Sequence, residues 1–183
     1  MLYATIATKH DELIQINSLN VQNLRTTLSK QEKEQHGFVT WLYPVSLLED
    51  MHKIAPSIIV KDDEAVVGYA LVTPKEASSF HHDLRTMINK LELINYEGKP
   101  LSSYTYYIMG QVCIEKNYRG KGIFEMLFQK HKELYSNEYE LLVTEISTAN
   151  YRSKKAHEKV GFKTIHTYRD DLDEWNVVVW DWR

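Results

Sequence analysis

Apolar positions recur along this chain with two different periods, and the switches between them mark its elements. Leu2 to Ala7 alternates weakly, as a first strand does, and the polar and apolar mixture from Asp11 to about Lys33 is spaced as a helix. Leu47, Leu48, Met51 and Ile54 fall on one face of a second helix that starts near Ser46 and is stopped by Pro56. Ser57 to Val60 and Ala65 to Thr73, joined by a Lys-Asp-Asp-Glu turn, read as an antiparallel hairpin in which Gly68 weakens or bulges the second arm. His81 to Leu93 has helical character, whereas Asn95 to Pro100 has turn chemistry, so residues 75–103 read as an insertion between the third and fourth strands.

The second half is more regular. Tyr104 to Ile114, rich in aromatic and β-branched residues, predicts a long central strand. Ile123, Phe124, Leu127, Phe128 and Leu134 then form the core-facing stripe of a helix. Glu140 to Ile146 is the next strand, and Ser153 to Lys159 a short helix ended by Gly161. Phe162 to Tyr168 and Trp175 to Trp180 close the chain as an antiparallel pair. This order predicts an α/β fold with a mixed, mostly antiparallel central sheet flanked by helices. At 183 residues with 43% hydrophobic content, one domain spanning 1–183 is expected.

Composition narrows the function by exclusion. The formal net charge of -3 gives no reason to expect nucleic acid as a partner. Cys113 is the single cysteine, which excludes an intramolecular disulfide, and no Cys/His spacing suggests zinc. His81-His82-Asp83 lacks a partner set, so no metal is expected. Met1 to Thr8 has no basic start followed by a long apolar run, and no segment approaches the roughly 20 apolar residues that span a bilayer. The expected setting is cytoplasmic, away from membranes.

The most informative stretch is Val112 to Phe128, where an apolar strand passes through a polar elbow into the amphipathic helix. The first N–H groups of a helix lack internal partners and sit at the positive end of its dipole, so the elbow at Arg119, Gly120, Lys121 and Gly122 suits an anion such as phosphate. A Walker loop is excluded because Gly120-Lys121 is followed by Gly122 and Ile123, with no Ser or Thr for magnesium. A dinucleotide fingerprint is excluded because Glu125 stands at its third glycine position.

What the elbow does match is an R/Q-x-x-G-x-G/A signature, satisfied by Arg119 and Gly122 and departed from only at Phe124. A second block, Glu145 to Phe162, carries Asn150 ahead of a helix ending His157-Glu158-Lys159-Val160-Gly161-Phe162. With these two blocks the chain resembles the GCN5-related N-acetyltransferase (GNAT) family, differing at Phe124 and at His157, which stands where a tyrosine is usual. The resemblance implies transfer of acetyl from acetyl-CoA to a small-molecule or peptide amine, by direct attack in a ternary complex. It implies that Arg119, Gly120, Lys121, Gly122, Ile123 and Phe124 hold the pyrophosphate. Cys113 and Ile114 would then offer backbone groups to the pantetheine arm, and Asn150 would reach the cosubstrate from the far side. Glu145 becomes the candidate base and His157 the candidate acid.

Each assignment has a plainer reading beside it. Asn150 is also a natural helix cap. His157 is also a packing histidine, Glu145 a salt-bridge carboxylate and Cys113 a buried strand residue rather than a nucleophile. Trp41 and Tyr43 are candidates for an acceptor pocket. Trp175 to Trp180 offers an edge for pairing with a second copy, so a homodimer stays open. The alternative to an enzyme is a catalytically silent acyl-CoA-binding or sensing module of the same fold.

Overall fold

The computed structural model describes residues 1–183. In chain order, β1 (Leu2–Ile6) leads into α1 (His10–Gln22), α2 (Lys30–His36) and α3 (Val45–Ile54). The hairpin β2 (Ile58–Asp62) and β3 (Ala65–Thr73) follows, then α4 (His82–Glu92) and a small hairpin, β4 (Asn95–Tyr96) with β5 (Lys99–Pro100). The second half is β6 (Tyr106–Ile114), α5 (Ile123–Tyr135), β7 (Leu141–Ser147), α6 (Tyr151–Val160), β8 (Lys163–Arg169) and β9 (Glu174–Asp181).

Seven strands form one sheet in the order β1-β2-β3-β6-β7-β9-β8. Every pairing in it is antiparallel except β6 with β7. Alternation along the strands sends Tyr69, Leu71 and Cys113 to one face, where they meet Ile16 of α1, Leu48 and Met51 of α3 and Leu84 of α4. Ala70, Val72, Tyr107 and Leu142 go to the other face, under Ile123, Leu127 and Phe128 of α5. Fully burying a side chain such as Phe128 or Leu48 stabilises the fold by about 1.5–3 kcal/mol.

Three expectations change. The helix predicted from Asp11 to Lys33 is two helices: α1 stops at Gln22, and α2 starts afresh with a capping box in which Ser29 Oγ accepts from Glu32 N–H and Glu32 Oε2 accepts from Ser29 N–H. Leu134 leaves the core stripe of α5 and is exposed, while the fully buried His131 takes the inward position. Ile123, Leu127 and His131 are each four residues apart and share one face, and Leu134 stands beyond them in the last turn of α5. Finally, β9 cannot pair with a second copy through its edges, because both are occupied, by β7 and β8.

Two features of β6 position the site. Ala70 pairs with Val112 and Val72 with Met109, so Leu71 faces both Gly110 and Gln111 across a β-bulge that bends the strand. β6 pairs with β7 only from Tyr106↔Leu141 to Ile108↔Val143, after which no backbone pair joins the two strands. Thr144 Oγ1 donates to Met109 O at 2.7 Å and marks the point of division.

Candidate active site

Where β6 and β7 part, two cavities open into the molecule. The larger, of about 1020 Å³, lies against the elbow between β6 and α5 and is closed on its far side by the start of α6. The smaller, of about 460 Å³, lies between the strands and the 38–43 loop, α4 and the β8–β9 turn. Phe38, Val39, Val112, Asn150 and Ser153 line both, so the two are halves of one channel.

At the elbow, Gly120 and Gly122 hold positive φ of 75° and 78°, a region costly for residues with a Cβ. Gly122 is the N-cap of α5, and no backbone N–H from Gly120 to Glu125 is bonded to another backbone group. The result is a run of orphan donors at a helix N-terminus, facing the larger cavity. The basic side chains are occupied elsewhere. Arg119 Nη2 donates to Asn23 Oδ1 at 2.6 Å and Nε to Ile114 O at 3.2 Å, tying the elbow to α1. Lys121 Nζ lies 4.6 Å from the Tyr118 ring centroid. Phe124 turns inward, 4.6 Å from Phe128 and 5.0 Å from the His157 ring, which leaves only its backbone toward an anion.

Along β6, Glu115 N–H donates to Val67 O on β3, so alternation directs the backbone of Cys113 toward β3 as well. The backbone groups on the open side are those of Val112 and Ile114. The expectation that Cys113 offers its backbone to a ligand is corrected in favour of Val112. The Cys113 side chain is buried against Leu19, and burial pushes its thiol up to about 12, so it is no nucleophile.

Asn150 caps α6 and does more. Its Oδ1 accepts from Ser153 N–H at 3.2 Å, and its Nδ2 donates to Phe38 O at 2.9 Å, which clamps the 37–38 loop over the channel. Gly37 permits this approach, since a Cβ there would stand 2.7 Å from Asn150 Oδ1.

Glu145 faces the smaller cavity from β7. Desolvation raises its carboxyl to about 7, although Tyr168 Oη donates to its Oε1 at 2.7 Å and opposes the rise. His157 borders the same cavity but is almost wholly buried, ringed by Phe124, Phe128 and Phe162 at centroid distances of 5.0, 5.3 and 5.0 Å. Burial lowers its imidazole to about 4. Its Nδ1 lies 2.8 Å from Ser153 O, a hydrogen bond only if that nitrogen carries the proton, and Nε2 has no partner. At neutral pH His157 therefore has one N–H, engaged by a carbonyl, and no proton to give. The geometry runs against His157 as the acid.

An acetyltransferase (GNAT) family model matches residues 21–162, most of the chain. The chain belongs to the GNAT family. It is accordingly an acetyl-CoA-dependent acetyltransferase, with acetyl-CoA as cosubstrate. No curated protein matches its sequence. Among solved structures it is similar to an N-acetyltransferase from Staphylococcus aureus Mu50, with a TM-score of 0.66 at 19% identity over 100% of this chain and 99% of that one. The ribosomal-protein-S18-alanine N-acetyltransferase from Escherichia coli gives a TM-score of 0.65 at 9% identity over 99% and 94%. A putative acetyltransferase from Salmonella typhimurium, solved with its cofactor acetyl-CoA, gives 0.62 at 13% over 100% and 94%. At such identities these structures speak for the GNAT fold alone.

The residues present fit the GNAT cosubstrate. A Cβ on Gly120 or Gly122 would meet nothing within 4 Å, and both glycines line the larger cavity, so the elbow that carries the orphan N–H groups borders open space. The unpaired stretch of β6 offers backbone groups to an amide-bearing arm. Several positioning residues escaped the sequence reading. Asn17, Asn20 and Asn23 descend one face of α1 at steps of three. Asn17 Nδ2 donates to Tyr43 O, Asn20 Nδ2 donates to Trp41 O and its Oδ1 accepts from Tyr43 N–H, and Asn23 holds Arg119. The signal was there, because asparagine is a poor helix former and three at that spacing need a reason.

Proposed function

We propose that the protein transfers acetyl from acetyl-CoA to a primary amine seated in the smaller cavity, with Glu145 as the base. The observation that carries this reading is the Glu145 carboxyl, raised to about 7 and facing a cavity continuous with the elbow cavity. A base with a pKa near the working pH combines an adequate ionised fraction with a useful proton affinity, and is typically worth about 10²- to 10⁴-fold.

Bound acetyl-CoA supplies an acyl group already activated as a thioester. The elbow N–H groups from Gly120 to Phe124 take its pyrophosphate, and Val112 and Ile114 take the amide-bearing arm at the open edge of β6. Asn150 keeps the 37–38 loop closed over the junction. Trp41, Tyr43, Tyr168 and Trp175 line the acceptor side with aromatic surface, and Met87 of the inserted α4 adds an apolar wall. Such a chamber suits a small molecule or the tip of a peptide. Glu145 accepts the proton that the amine loses as it attacks. Direct transfer is supported by Cys113, whose buried, high-pKa thiol is unfit to carry an acyl-enzyme.

The test is acceptor-dependent thiol release from acetyl-CoA across amines, polyamines, aminoglycosides and peptides. Turnover with one class, lost in Glu145→Gln while CoA binding persists, is the expected result. Background hydrolysis alone across the panel, with CoA bound, would sink the reading in favour of a binding module.

A further inference from the structure

We propose that Ser153 is the group that stabilises the departing sulfur in this protein, with His157 as its positioning residue; the assignment rests on the transfer reading above. Of the residues lining both cavities, Phe38, Val39 and Val112 have no polar side-chain atom, and Asn150 is pinned at both ends, Nδ2 donating one hydrogen to Phe38 O and Oδ1 accepting from Ser153 N–H. Ser153 brings the one hydroxyl to the place where the channel's halves meet.

Its orientation follows from the histidine one helical turn on. The 2.8 Å contact between His157 Nδ1 and Ser153 O fixes the hydrogen on Nδ1. Ser153 Oγ lies 3.4 Å from the same nitrogen and shares that hydrogen as an acceptor. The hydroxyl's own hydrogen bonds to nothing else in the protein. It sits in the first turn of α6, where the helix dipole also favours negative charge. With its imidazole lowered to about 4, His157 does not titrate near neutrality and holds this arrangement unchanged.

In the step that follows, the amine nitrogen bonds to the acyl carbon and the C–S bond breaks, its electron pair passing to sulfur. Glu145 takes the proton lost by nitrogen and later returns it to solvent. Ser153 Oγ–H donates a hydrogen bond to the sulfur as negative charge builds there, and water supplies the proton when CoA leaves. A hydrogen bond to a charged partner is among the stronger ones and is worth about 10- to 100-fold here.

The first readout needs no turnover. The thiol of CoA bound to the protein is titrated by its ultraviolet thiolate absorbance, and it ionises about one pH unit lower in wild type than in Ser153→Ala, a tenfold difference in thiolate stability. In the second, Ser153→Ala lowers kcat about 10- to 100-fold at unchanged KM for acetyl-CoA, and Ser153→Thr, which keeps the hydroxyl, recovers most of it. His157→Phe lowers kcat less than Ser153→Ala. An unchanged thiol titration, or a Ser153→Ala kcat within twofold of wild type, overturns the role of Ser153 and leaves the transfer reading standing. Wild-type protein that binds CoA yet acetylates no amine overturns the transfer reading and this role together.

Discussion

Tyr168 Oη donates to Glu145 Oε1 at 2.7 Å, reaching over β9 from the edge strand β8 to β7. The bond favours the ionised carboxylate, yet burial outweighs it and the carboxyl stands at about 7. For a base this sets the direction of the pH profile: kcat/KM rises as pH climbs through 7 and levels above it. Removing the phenol in Tyr168→Phe takes away a bond to the charged form, so the inflection moves up. Profiles of wild type, Tyr168→Phe and Glu145→Gln with one amine check this, since the acceptor's own titration is common to all three. Superimposable profiles would remove Glu145 from the mechanism.

The elbow and the 37–38 loop predict separable effects on binding. Alanine at Gly122 meets no neighbour but must adopt positive φ, which costs about 1–2 kcal/mol, so Gly122→Ala folds with a lowered Tm and weakened CoA affinity. Gly122→Trp fills the space before the orphan N–H groups and abolishes CoA binding. Gly37→Ala drives a Cβ against Asn150 Oδ1 and loosens the loop clamp, weakening CoA binding although residue 37 lies outside the elbow. Isothermal titration with CoA distinguishes these, and full affinity in Gly37→Ala would refute the clamp.

Acid should destabilise the fold through His157. Its folded pKa, about 4, lies below the ordinary value of 6.5, so the unfolded chain binds more protons between those limits. The stability from keeping this ring neutral is complete above 6.5 and is lost as pH falls through 4. His131, pushed by burial to about 3, adds a loss of the same sign. At about 1.4 kcal/mol per unit, His157 alone accounts for a loss of roughly 3 kcal/mol. Urea midpoints at several pH values should fall less steeply below 6.5 in His157→Phe than in wild type.

The thiol of Cys113 should be silent in the native state. With its pKa near 12 and its sulfur under α1, it reacts with a thiol reagent at neutral pH only after unfolding. Rapid modification of native protein would contradict the packing.

Much of this architecture was legible because its signals are local. The elbow glycines, the stop at Pro56 and the alternation of the final strands each act within a few residues of where they are read. Gly68 announced the irregularity beside it, where Val60 pairs with Gly68 but Lys61 with Val66. What escaped depends on distant partners. The break after α1 follows from Asn23 and Arg25 joining Val39 through backbone bonds. The insertion of β9 between β7 and β8 is a property of sheet order, which periodicity does not encode. At the site, the family resemblance singled out Glu145 and Asn150 as candidates, but the neutral state of His157 depends on a cage of three phenylalanines that fills only on folding.

The short β6–β7 ladder has a mechanical consequence. Both strands are central, so the sheet is two half-sheets bound along a spine only from Tyr106↔Leu141 to Ile108↔Val143. An extended ligand bonded to the free edge in that opening would fasten the halves beyond the spine, as a clasp holds a book.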